Sequence, residues 1–142
     1  MTTRAERTVE VDGTIEDVWA FISDPAKRAN AISVVERFEI LDEAQRHVRW
    51  YIKLPIPLIS SSIGVDTEEV ERDPPRYVRF VGDSHVLRVV GEHHLASTSN
   101  GVRLTSRFTV DGRLPGVEAF FKKNLDRELD NLEAALLGEL ET

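Results

Sequence analysis

The chain has 142 residues, no cysteine, and 25 acidic against 18 basic side chains, a formal net charge of −7. Without thiols it can build neither disulfides nor thiolate metal sites nor a cysteine nucleophile, and its negative field opposes a phosphate backbone, so no nucleic-acid partner is expected. The length predicts one domain over residues 1–142 that buries its own core.

Alternation opens the chain: Val9 and Val11 face one way and Thr8, Glu10 and Asp12 the other, a half-buried strand that Gly13 ends. Thr14 then stands as an N-cap before Ile15, Val18, Trp19 and Ile22, whose i, i+3, i+4, i+7 spacing marks one covered helical face. Asp24-Pro25 closes this helix and opens a second, short one over about 25–31, because proline suits a first helical turn and displaces the residue before it. From Val34 the period changes to two, and strands are predicted at about 34–42, 46–54, 63–71, 77–81, 86–96 and 102–111. The breaks between them, such as Asp73-Pro74-Pro75 and Ser99-Asn100-Gly101, carry turn chemistry and are short, which favours antiparallel neighbours. After Pro115-Gly116, Val117, Phe121, Leu125, Leu129, Leu132, Leu136 and Leu140 mark a long amphipathic helix, about 37 Å over 25 residues, enough to cross a whole sheet.

No apolar signal core precedes the first strand, and no run approaches the roughly 18 apolar residues of a membrane span. The expectation is a cytoplasmic protein without stable membrane insertion. The fold class expected is α+β: a curved seven-stranded antiparallel sheet around a long C-terminal helix, with two short helices after the first strand.

This order, with Thr14-Ile15-Glu16-Asp17-Val18-Trp19-Ala20-Phe21-Ile22-Ser23-Asp24-Pro25 at the first helix, resembles the START-like (SRPBCC, helix-grip) superfamily. That group includes polyketide cyclases and dehydrases, lipid-transfer domains and pollen-allergen-like proteins. The resemblance covers nearly the whole chain, is carried by structural residues, and implies a fold more firmly than an activity.

Alternation names what should line the concave side. Val48, Trp50, Ile52 and Leu54 share a face, as do Val78 and Phe80, and Val102, Leu104, Ser106, Phe108 and Val110. In the strand near Val86 the more apolar set is Leu87, Val89, Gly91, His93 and Leu95; a one-residue bulge would bring in His94 instead. His93 and Ser106 are then inward polar groups on neighbouring strands, and each needs a partner, from the protein or from a ligand. Trp19 is expected in the core. From the long helix, Phe121 faces the sheet and Asn124 offers a third polar contact. The candidate ligand-binding residues are therefore Trp50, Leu54, Phe80, His93, Ser106, Phe108, Phe121 and Asn124.

Catalytic signatures are thin. His93 and His94 point to opposite faces and cannot chelate one metal; Asp66, Glu68, Glu69 and Glu71 divide between two faces and read as a solvated strand. No phosphate loop, nucleophile elbow or dinucleotide fingerprint is present. No metal and no cofactor is expected, and the favoured reading is a module that binds a hydrophobic small molecule such as a lipid, isoprenoid or polyketide-like compound. Two alternatives stay open. The first, implied by the resemblance, is a cyclase or dehydratase with His93 moving a proton beside Ser106. The second is an accessory protein docking through the Pro55–Ile59 loop. A homodimer or another protein partner is left open.

Overall fold

The computed structural model describes residues 2–56 and 61–141. Seven strands, β1 (Thr2–Val11), β2 (Val35–Ile40), β3 (His47–Ile52), β4 (Ile63–Asp73), β5 (Tyr77–Asp83), β6 (Leu87–Ser97) and β7 (Val102–Gly112), form one open, curved antiparallel sheet in the order β1-β7-β6-β5-β4-β3-β2. The first strand is longer than its alternation suggests. Residues 2–7 have little hydrophobic pattern of their own, yet they pair with β7 in unbroken register from Thr2↔Asp111 to Val11↔Val102, so tertiary pairing overrides weak local preference.

Because β1 and β2 are opposite edges, the chain between them must travel the width of the sheet. It does so as α1 (Ile15–Ile22) and α2 (Pro25–Ala31). Thr14 Oγ1 accepts from the Asp17 amide at 3.1 Å and Asp24 Oδ1 from the Ala26 amide at 2.9 Å, so both helices start where a side chain satisfies a free donor. The last helix, α3 (Val117–Leu140), is about 36 Å long and lies across the concave face. Gly116 precedes it at φ 91°, a left-handed turn that a side chain would strain.

The outer face of the sheet is a ladder of ion pairs, Glu10–Arg103, Glu6–Arg107 and Asp66–Arg49 among them. The inner face and α3 enclose the core in two clusters. One gathers α1, β6, β7 and the end of α3 around Val18, Ile22, Leu104 and Leu136. The other lies around Ile52, Leu54, Val65, Val110, Phe121 and Leu125. Phe108 packs against both. Trp19 is half-buried against the first cluster, with the Arg72 guanidinium 5.3 Å from its ring.

Candidate functional site

Beside the second cluster the packing stops short. The hollow there leaves about 80 Å³ for the centres of water-sized solutes, where one water needs about 10–15 Å³ on that measure. Its wall is apolar from every side: Val35, Ile52, Val65, Val89 and Val110 from the sheet, Ile32 after α2, and Phe121, Leu125, Leu129 and Leu132 from α3. Four polar side chains interrupt the wall, namely Arg28, Trp50, His93 and Glu128.

The β6–β7 ladder is regular through His93↔Ser106, so alternation holds and His93, at 0 % exposure, points to the concave side. His94 lies on the outer face, its ring 4.5 Å from that of Tyr77. His93 Nδ1 and Ser106 Oγ are 2.8 Å apart, and either atom can be the donor. Burial, then the Arg28 charge, then His94 push the imidazole down to about 3, so the ring is neutral at physiological pH. Its Nε2 has no partner among the described residues.

Phe80 is the centre of the aromatic wall. Its ring lies 6.2 Å from Trp50, 6.1 Å from Phe108 and 6.3 Å from His93. It can rest there because Gly91 stands opposite it on β6: a Cβ at that position would come within 2.4 Å of the Phe80 ring. Over the same ring, with its Cζ 5.2 Å from the centroid, sits the guanidinium of Arg28.

Arg28 and Glu128 are the functional candidates that sequence reasoning missed. Arg28 is 5 % exposed, its Nη1 donates to the Ile22 carbonyl at 2.6 Å, and its Nε has no partner among the described residues. Burial lowers it to about 10, with Glu69 opposing, and it stays a cation at neutral pH. Glu128, 4 % exposed, accepts from the Ser33 hydroxyl at 2.7 Å, from the Ser33 and Val34 amides, and from Asn131 Nδ2 at 2.7 Å, so it ties the turn after α2 to α3. The signal was spacing. Pro25, Arg28 and Ala29 form the buried face of α2, and Leu125, Glu128, Leu129 and Leu132 form one stripe of α3.

Of the residues singled out from sequence, Trp50, Phe80, His93, Phe108 and Phe121 line the hollow, and Ser106 reaches it only through His93. Leu54 does not line it; at 1 % exposure it fills the neighbouring cluster. Asn124 does not line it either, because its Nδ2 donates back to the Phe120 carbonyl at 2.8 Å and its Oδ1 accepts from Arg127, turning it along the helix. Glu69 departs from the solvated-strand reading: its side chain is 3 % exposed and bonds Arg72 twice, at 2.8 and 3.2 Å, beside a break in the β4–β5 register. In the proline-rich loop, Ile56 packs on the core, while Pro57, Leu58 and Ile59, on which the docking reading rests, lie outside the described residues. No helix among the described residues is long and apolar enough to cross a membrane.

Solved structures of similar shape include an aromatase/cyclase, Zhui, from Streptomyces sp. R1128, with a TM-score of 0.78 at 19% identity, 99% of this chain against 94% of that one. A conserved protein from Geobacillus kaustophilus matches with a TM-score of 0.78 at 14% identity over 98% and 95%. A START superfamily protein from Mycobacterium smegmatis matches with a TM-score of 0.76 at 18% identity over 97% of each chain. At these identities the likeness shows the fold alone. No curated protein matches in sequence. The model of one family, described as polyketide cyclase / dehydrase and lipid transport, matches residues 2–137. With that match over a START-like sheet and helix, the chain belongs to the polyketide cyclase / dehydrase and lipid transport family.

Proposed function

We propose that residues 1–142 act as one ligand-binding domain that holds a hydrophobic small molecule, of lipid, isoprenoid or polyketide-like type, between the sheet and α3. The observation that carries this reading is the hollow itself, an apolar chamber whose wall holds three buried polar atoms with no hydrogen-bond partner among the described residues. Leaving a buried polar group unpaired costs about 1–3 kcal/mol, and an enclosed apolar ligand gains about 25 cal/mol per Å² it withdraws from water. Both terms favour occupancy. The space suits a ring or a short branched segment; a long acyl chain needs the wall to move.

The cyclase or dehydratase reading draws on the family to which the chain belongs, and the site supports it less. Among the described residues, a neutral, fully enclosed His93 bonded only to Ser106 has no second free acid or base beside it, since Glu128 and Glu69 are committed to other donors. The separating experiment is recovery of the protein from its native host with mass spectrometry of co-purified compounds. A stoichiometric compound released unchanged supports the carrier. A compound converted by the protein, with conversion stopped by His93→Ala, overturns it in favour of catalysis.

A further inference from the structure

Three side chains in the wall of the hollow carry a polar atom with no hydrogen-bond partner among the described residues: Nε of Arg28, Nε1 of Trp50 and Nε2 of His93. They come from three separate elements, α2, β3 and β6, and they share one neighbour. The Phe80 ring lies 5.2 Å from the Arg28 guanidinium, 6.2 Å from the Trp50 ring and 6.3 Å from the His93 ring. Their chemistry is one-sided. The guanidinium and the indole N–H can only donate, and the His93 Nε2 donates whenever Ser106 gives its proton to Nδ1.

The nearby acceptors are already occupied. Glu69 is held by Arg72 through two bonds, and Glu128 by Ser33, Val34 and Asn131. Arg28 itself has a neutral backbone carbonyl as its hydrogen-bonded partner, a poor match for a cation enclosed to 5 % exposure. Two fixed donors, one of them the Arg28 cation, in a greasy chamber select against a hydroxyl or amine that needs an acceptor, and for an oxygen that brings lone pairs only.

Resting on the proposed function, we infer that the ligand of this hollow presents a bare acceptor oxygen, a ketone or a carboxylate, to Arg28 and Trp50 beside the Phe80 ring. All three polar atoms are shielded from solvent, so the oxygen reaches them with side-chain movement in the wall. A carboxylate gains nothing from the protein at long range, because the chain is net negative; any preference for it arises inside the chamber and is insensitive to salt.

The test compares two probes of one shape, 1-acetylnaphthalene and 1-ethylnaphthalene, which differ by the ketone oxygen. Their dissociation constants are measured by tryptophan-fluorescence titration or calorimetry on the wild type, Arg28→Met and Trp50→Phe, each checked for folding by circular dichroism. The expected result is that the acetyl-to-ethyl affinity ratio falls about tenfold in Arg28→Met and severalfold in Trp50→Phe, the scale of one lost hydrogen bond to a charged and to a neutral donor. Trp50→Phe removes one N–H and little volume, so it decides the matter if Arg28→Met does not fold. A fall in either variant supports the seat. An unchanged ratio in every folded variant overturns it while leaving an apolar container intact, and failure of both probes to bind the wild type overturns the container and this inference together.

Discussion

Around α1, the side chains of Val11, Val18, Ile22, Leu104 and Leu136 close on one another. Around Trp50 and His93, on the same sheet and under the same helix, Arg28 and Glu128 take positions on helical faces that elsewhere carry Ile22 or Leu136, and a hollow remains. The contrast is the ground for proposing a binding site where the core gives up packing. The α1 end supplies cohesion to hold the sheet and α3 together, and the Trp50 end uses that cohesion to keep space and unpaired donors that would not persist alone.

Truncation in the packed end gives the largest expected effect. Leu136→Ala, at a site 1 % exposed, should lower stability by about 2–5 kcal/mol in urea denaturation, with probe affinity of the folded protein within about twofold of the wild type. A loss of affinity equal to the loss of stability would erase the division between the ends.

His93 gives the next effect, and pH sharpens it. Its folded value of about 3 lies below its ordinary 6.5, so between these values the unfolded chain binds a proton that the folded chain does not. Stability contributed by the neutral ring is therefore complete above about pH 6.5 and declines as pH falls toward 3, by up to about 1.4 kcal/mol per unit. In urea titrations His93→Asn should cost about 1–3 kcal/mol at pH 7 through the lost ring contacts, and the gap to the wild type should narrow at pH 5.5 and close or reverse by pH 4. A constant gap would mean that the imidazole is not sealed.

Filling the hollow should act in the opposite sense and most weakly. Val89→Ile adds one methylene to a half-buried wall residue and should raise stability by about 0.5–1 kcal/mol while weakening probe binding severalfold. A destabilised Val89→Ile protein would show that the space is already closed by its neighbours.

What could be read in the sequence divides along the same line. The sheet was legible because period-two alternation survives in β3, β6 and β7, and it put Trp50, His93, Ser106 and Phe108 on the concave side. Arg28 and Glu128 were not, because a charged residue on an amphipathic helix reads as solvated unless its spacing is weighed against its chemistry; both sit one turn from apolar residues that are fully covered. Asn124 turns along the helix for a local reason: a backbone carbonyl four residues back lies within its reach. Glu69 followed its alternation inward, but its burial depends on Arg72, which the break in register beside it brings to the same side.

The central claim is that solute enters the Trp50 end of the interior and not the α1 end. Methyl-labelled protein titrated with 1-acetylnaphthalene and followed by NMR tests this directly. Saturable one-to-one shifts of the Val65, Val89 and Leu129 methyls, with those of Val18 and Leu136 still, are the predicted result; shifts centred on Val18 and Leu136, or no saturable response at all, would contradict it.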